Sequence, residues 1–268
     1  MKAKGFDVIE REIERTQVLI LAGGKAKRMG KIDVPKALLE VCGRPLVDYA
    51  IDLCINNGFR EFVFLLGYKH EQIEEHLKDL ASKYEDASFE FSVEPPEVEG
   101  KGKALRYAIE MGKIDLKKRC LVLYPDDLFF DQHLPLKLLL QHLQGVGMFE
   151  TLGTLVLVSG TEYPYGVGEL DEFGVIRHYE EKPFIARYTN TGMSMFEPAV
   201  MKMVKKEISL DTPGSIEFER VVLPELAKEG KLYSLVVPPQ VWIPVNTQKE
   251  YEYAEKRMRE FMEKNTPC

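Results

Sequence analysis

From residue 17 onward, short apolar runs of strand length alternate with amphipathic stretches of helix length, and this alternation constrains the fold more than any other feature of the chain. Repeated strand and helix units bury their apolar surfaces as a largely parallel sheet with helices on both faces. Four strands are legible early, at residues 17–22, 61–66, 88–93 and 120–124, where Val, Leu, Ile and Phe concentrate. Between the first two, residues 45–57 place Leu46, Tyr49, Ala50, Leu53 and Cys54 on one side, with Pro45 near the start and Gly58 just past the end. That pattern predicts a helix. Residues 70–84, with Ile73, Leu77 and Leu80 inward, and residues 103–111 predict two more.

After Met148 the pattern changes. Residues 152–158, 167–170, 175–180 and 191–196 predict strands with few helices between them, and Asp171-Glu172-Phe173-Gly174 predicts a hairpin turn. Helices are expected again at 215–229 and 247–262. The expectation is an α/β fold: a Rossmann-like, mostly parallel mixed sheet flanked by helices, with an antiparallel extension from the second half. A single domain over residues 17–268 is expected, divided into halves at 17–147 and 148–268. Residues 1–16 form an N-terminal extension whose Phe6, Ile9 and Ile13 share one side of a short charged helical pattern.

Composition narrows the function. At 268 residues and 45% hydrophobic the chain can bury a full core. Its four cysteines, Cys42, Cys54, Cys120 and Cys268, have neither metal-ligand spacing nor the density of a disulfide scaffold, so a cytoplasmic location is expected. No apolar run approaches the roughly 18 residues of a membrane span, and the N-terminus is charged where a signal peptide is apolar. A net charge of −7 opposes nucleic-acid binding. An anionic ligand therefore requires a local basic pocket.

Residues 21–29, LAGGKAKRM, supply one. A strand ending in Ala22-Gly23-Gly24 brings backbone amides against phosphates, because glycine has no Cβ to hold a ligand off. Lys25, Lys27, Arg28, Lys31 and Lys36 follow within a dozen residues or so. Neither a Walker A loop nor a dinucleotide fingerprint fits the glycine spacing. Further on, residues 121–129 (LVLYPDDLF) end a strand in two carboxylates, Asp126 and Asp127, where open α/β sheets take their ligands.

These stretches resemble the sugar-phosphate nucleotidyltransferase family, the nucleotide-sugar pyrophosphorylases, whose opening motif is LAGGxGTRL followed by PK and an apolar strand. Here Pro35-Lys36 opens PKALLEV. The likeness continues through Gly43-Arg44-Pro45-Leu46, Gly67-Tyr68, residues 100–105, Tyr165-Gly166-Val167, the EEKP of residues 180–183, Asn190-Thr191-Gly192 and residues 242–247, in family order. Residues 215–226, SIEFERVVLPEL, look most like the compact hexose 1-phosphate guanylyl- and uridylyltransferases.

The resemblance implies a reaction between a nucleoside triphosphate and a sugar 1-phosphate that yields a nucleotide sugar and pyrophosphate. It implies that Leu21, Ala22, Gly23, Gly24 and Lys25 meet the nucleotide, with Glu94 and Gly100 near the base. An ionised Glu94 suits the N–H groups of guanine or the amino group of cytosine. Arg28, Lys36 and Asp126 are the implied catalytic residues, Asp126 holding Mg²⁺. Gly166, Glu181, Lys182, Asn190 and Thr191 are implied at the sugar phosphate, in the antiparallel extension.

Two departures stand out. Lys25-Ala26-Lys27 replaces the usual x-Gly-Thr, and Pro244 stands where the family has a second metal-binding aspartate. Pro244 supports an alternative, a nucleotide-sugar-binding or regulatory homologue with impaired catalysis. The sequence leaves room for a homo-oligomer and for neither a nucleic-acid nor a membrane partner.

Overall fold

The structure is a computed structural model and describes residues 4–25 and 33–265. In chain order its elements are α1 (Lys4–Glu14), β1 (Thr16–Leu21), β2 (Glu40–Val41), β3 (Arg44–Pro45), α2 (Leu46–Ile55), β4 (Glu61–Leu66), α3 (His70–Ala81), β5 (Ser88–Val93), α4 (Lys101–Glu110), β6 (Arg119–Leu123), β7 (Asp127–Phe129) and α5 (Leu134–Phe149). They continue as β8 (Gly153–Val158), β9 (Thr161–Glu162), β10 (Val167–Leu170), β11 (Ile176–Glu180), β12 (Phe184–Ile185), β13 (Thr189–Phe196), α6 (Pro198–Glu207), α7 (Phe218–Lys228), β14 (Leu232–Val237), β15 (Trp242–Pro244) and α8 (Gln248–Asn265). Among these residues no helix is long and apolar enough to cross a membrane.

Seven strands form one sheet in the order β14-β8-β13-β6-β1-β4-β5. All neighbours run parallel except β13, which lies antiparallel between β6 and β8. The expected mixed, mostly parallel sheet is thus observed. From the second half, β8, β13 and β14 extend the first half's sheet edge to edge. Of the other strands in that half, β10–β11 and β9–β12 form short pairs of their own, and β15 pairs with β7.

The continuous apolar runs are explained by burial on both faces. Every residue of β1 and β6 is buried. Val18 and Ile20 pack on one side with Phe62, Phe64, Leu121, Val47 and Ile73, beneath α2, α3 and α5. Leu19 and Leu21 pack on the other with Val63, Leu65, Leu105, Val200 and Val222, beneath α4, α6 and α7. Each such side chain contributes about 1.5–3 kcal/mol relative to exposure.

A third cluster joins Leu128, Ile243 and Val245 to Ala254 and Met258 of α8, which fastens the β7–β15 ribbon beside the end of β6. The N-terminal pattern forms α1, whose Ile13 side chain rests against Gly58. Glu12 of α1 pairs with Arg119 at the start of β6 (3.0 Å). The extension is therefore docked onto the sheet.

Helices α5 and α6 and strand β14 have no counterpart in the pattern of the sequence. The helix expected at 215–229 begins only at Phe218. Its predicted first turn is held extended because Ile216 donates to Glu99 O (3.1 Å) and accepts from Gly102 N (2.8 Å).

Candidate functional site

The carboxyl ends of β1, β4, β5 and β6 open into one cavity of about 1190 Å³. Because β13 is antiparallel, its starting end lies at the same edge, so Asn190, Thr191 and Gly192 join Gly23, Gly24, Glu94, Lys101, Asp126 and others in the lining.

The glycine turn follows β1 directly. Ala22 N donates to Leu65 O (2.8 Å) and Tyr68 N to Gly23 O (3.2 Å), so the turn is fixed to the end of β4. A Cβ on Gly23 would lie 3.2 Å from both Glu94 Oε2 and Gly67 N, a tight approach that glycine avoids. Lys25 forms an isolated backbone bridge with Pro35, and its ammonium lies 4.6 Å from the Tyr68 ring centre. Lys27, Arg28 and Lys31 lie outside the described residues, as does any geometry for the role expected of Arg28.

Lys36 begins a short 3₁₀ turn and points its ammonium at the end of β6. It is ion-paired with Asp126 and donates to Asn246 Oδ1 (2.8 Å). Asp126 itself is placed by its backbone, since its carbonyl accepts from Val245 N (2.7 Å). Asp127 lines the same cavity, with Oδ2 against Gly192. Its carboxyl accepts from the Trp242 indole (2.7 Å), and burial, then the neighbouring Asp126 charge, hold it well above the usual carboxylate range.

Glu94 follows β5 with its carboxyl in the cavity, and burial pushes it up to about 8. Gly100 precedes α4 at φ +88°, where a Cβ would overlap Ser215 Oγ and lie 2.5 Å from Ile216 O. Only a glycine fits that crossing of two loops.

Of the residues expected at the sugar phosphate, Asn190 and Thr191 line the cavity, while Gly166, Glu181 and Lys182 do not. The last three belong to the exposed β10–β11 ribbon and its ends, where Gly166 rests against Tyr179 and the Tyr179 hydroxyl donates to Glu181 Oε2 (2.9 Å). Lys182 is exposed and adopts φ +51°. The Thr191 hydroxyl is turned into the sheet, donating to Val156 O (2.9 Å), so Thr191 offers a ligand only its backbone.

One wall of the cavity has no clear signal in the sequence. Lys101 is ion-paired with Glu219, lies 3.7 Å from Glu217, and sits 4.7 Å above the Tyr124 ring. The Tyr124 hydroxyl also donates to Glu219 (3.0 Å). These groups come from segments far apart in the chain, and only the GKGKAL and SIEFE stretches hint at them.

A hard divalent cation needs oxygen ligands, and magnesium commonly takes one or two carboxylates and completes its shell with water and phosphate oxygens. Among the described residues no three His, Cys, Asp or Glu side chains cluster as a metal site. Pro244 pairs with Asp127 across the β7–β15 ribbon and offers no side-chain ligand. Asp126, a single carboxylate at the cavity edge, is of the type such an ion takes, while the neighbouring Asp127 has one carboxylate oxygen committed to Trp242.

Open α/β sheets take ligands outside the carboxyl ends of their strands, and bare glycine backbone flanked by lysines is a geometry suited to phosphate. The family is narrower: the chain belongs to the nucleotidyl transferase family, whose description matches residues 17–260. The catalytic subunit beta of mannose-1-phosphate guanylyltransferase from Drosophila pseudoobscura pseudoobscura is 28% identical over 243 residues, covering 88% of this chain and 60% of its own length. A Bacillus subtilis (strain 168) protein assigned as a glucose-1-phosphate cytidylyltransferase is 26% identical over 226 residues, 81% of this chain and 86% of that protein. A solved Bacillus anthracis chain assigned as a glucose-1-phosphate thymidylyltransferase, in complex with a sucrose, matches with a TM-score of 0.68 at 22% identity, over 91% of this chain and 96% of that one. That structural likeness carries the fold alone. The motif resemblance to sugar-phosphate nucleotidyltransferases is borne out.

Proposed function

We propose that this chain joins a nucleoside triphosphate to a sugar 1-phosphate, giving a nucleotide sugar and pyrophosphate. The observation that carries the reading is the meeting of Gly23-Gly24 backbone, Lys36, Asp126 and the Asn190–Gly192 segment around one cavity at the carboxyl edge of the sheet. The names of the guanylyl- and cytidylyltransferase relatives support the same substrate classes.

In this reading the sugar phosphate oxygen attacks the α-phosphorus in line with the leaving pyrophosphate. The nucleophile is already an anion, so no protein base is required. Catalysis rests on positioning and on charge placed ahead of the reaction. Gly23 and Gly24 offer backbone amides to the phosphates, Lys25 and Arg28 add positive charge toward the pyrophosphate, and Lys36 faces the α-phosphate. Magnesium on Asp126 and the triphosphate would supply charge neutralisation there. Asn190 and the backbone of Thr191 receive the sugar, with Gly166, Glu181 and Lys182 approaching from the exposed ribbon.

Glu94 and Gly100 face the base. A base that presents N–H groups to Glu94 favours its ionised form against the burial that now raises it. Guanine or cytosine meets that requirement better than uracil. The test is pyrophosphate release by the purified chain. The second reading, a nucleotide-sugar-binding homologue without turnover, rests on Pro244 and predicts binding with no release.

A further inference from the structure

The Asp126 end of the cavity departs from a simple acidic metal site. Of the two adjacent acids that line the cavity there, Asp126 is covered by Lys36, with side-chain exposures of 17% for Lys36 and 24% for Asp126. The ammonium is held from a second side by Asn246 Oδ1 (2.8 Å). Asp127, the adjacent acid, has Oδ1 committed to the Trp242 indole (2.7 Å) and pairs across the ribbon with Pro244. The Asp126 carbonyl is likewise taken by Val245 N (2.7 Å).

Such a site has little net negative charge to attract a free divalent ion, whose affinity rises with the number of charged ligands. A triphosphate changes the balance. It brings several anionic oxygens and gives the Lys36 ammonium a stronger partner than one carboxylate.

We infer that Lys36 is the resident counter-ion of Asp126, and that with Pro244 it confines divalent-ion binding to the complex with the triphosphate. The inference rests on the nucleotidyltransferase reading for its second half only. Its first half, weak binding of a free ion, stands on Lys36, Asp126 and Pro244 whatever the chain's activity. Lys36 therefore exchanges between two anions, Asp126 before the nucleotide arrives and phosphate afterwards.

The experiment is a Mn²⁺ titration of the full chain followed by electron paramagnetic resonance, which reads free ion directly and does not depend on turnover. Wild type alone leaves Mn²⁺ free through the micromolar range; with a non-hydrolysable GTP or CTP analogue it takes up one ion more than the analogue binds by itself. Pro244→Asp, which supplies a second carboxylate, and Lys36→Met, which uncovers the first, each tighten binding of Mn²⁺ alone by ~10-fold or more. Adding Asp126→Asn to either removes the gain. Stoichiometric micromolar binding by wild type alone, abolished in Asp126→Asn, overturns the inference, as does unchanged Mn²⁺ affinity in both Pro244→Asp and Lys36→Met. Two variants at separate points keep the test decisive if one fails to fold. Loss of nucleotide binding with and without Mn²⁺ tells against the nucleotidyltransferase reading instead, while the ion-alone measurements still decide the role of Lys36.

Discussion

The ammonium of Lys36 and the carboxylate of Asp126 meet at the cavity edge although 90 residues separate them in the chain. Each is brought there by a different device. Lys36 follows a turn tied to the glycine loop by its own N–H to Gly24 O (3.3 Å), and Asp126 follows the fully buried β6. The pair places one positive and one negative group side by side at the cavity edge.

Removing the carboxylate should separate turnover from nucleotide capture. Asp126→Asn is expected to lower the rate of pyrophosphate release by about 100-fold or more, the scale on which preorganised charge acts at a reacting phosphate. Affinity for the triphosphate without metal should be kept, because the glycine backbone and Lys25 are untouched. Steady-state kinetics and calorimetric binding on the same variant check both halves.

Glu94 makes stability depend on pH. Burial raises its carboxyl from an ordinary 4.5 to about 8, so between those values the folded state holds a proton that the unfolded chain has released. Its favourable contribution is full below 4.5 and is lost as pH rises through about 8. Glu94→Gln should flatten that fall: equal to wild type near pH 4.5 and more stable at pH 8 by a few kcal/mol at most, since a tenfold change in proton affinity corresponds to about 1.4 kcal/mol. Scanning calorimetry across the window is the measurement.

Gly100→Ala should damage the nucleotide side of the cavity. The position combines φ +88° with a Cβ that would overlap Ser215 Oγ, so either α4 or the 215–217 segment must shift. A cost of roughly 1–3 kcal/mol in stability is expected for the strain. The KM for the triphosphate should rise more than that for the sugar phosphate, as initial-rate kinetics would report.

A buried network away from the cavity predicts a purely structural defect. Glu197 accepts from Arg119 (2.7 Å) and lies 3.0 Å from His142, whose other ring nitrogen is 2.9 Å from Thr154. Burial works against the Glu197 charge, yet the contacts with His142 and Arg119 prevail and hold its carboxyl down at about 2. Glu197→Ala leaves Arg119 and His142 without this partner and should cost about 3 kcal/mol at neutral pH. The native contribution is present above 4.5 and is lost as pH falls toward 2, so the variant's deficit should shrink in acid. Equilibrium unfolding at two pH values checks it.

Much of this architecture is written locally. Strands β1, β4 and β6 are legible to within a residue because a strand buried on both faces is apolar almost throughout, the edge strand β5 because its apolar residues alternate, and α2 and α3 because their apolar residues share one face. Helix α5 is not, since LPLKLLLQHLQGVGMF is apolar nearly all round and carries two glycines in its last turns. Strand β14 escapes notice because LYSLVV directly follows a helix and looks like its tail. In the cavity, Gly23, Gly24, Lys36, Asp126 and Asn190 are found from motifs at strand ends. Lys101 and Glu219 are not, because their pairing across 118 residues is a tertiary event with no local pattern. Thr191 is found, but its hydroxyl faces the wrong way for a ligand, since side-chain direction at the β13 irregularity is set by the neighbouring β8.

Pyrophosphate release tests the proposed reaction most directly. Purified full chain, offered each nucleoside triphosphate with a panel of hexose 1-phosphates and Mg²⁺, should release pyrophosphate in step with formation of a nucleotide sugar, most rapidly with GTP or CTP. Failure to release pyrophosphate in any pairing, by a folded chain that still binds nucleotide sugar, would contradict it.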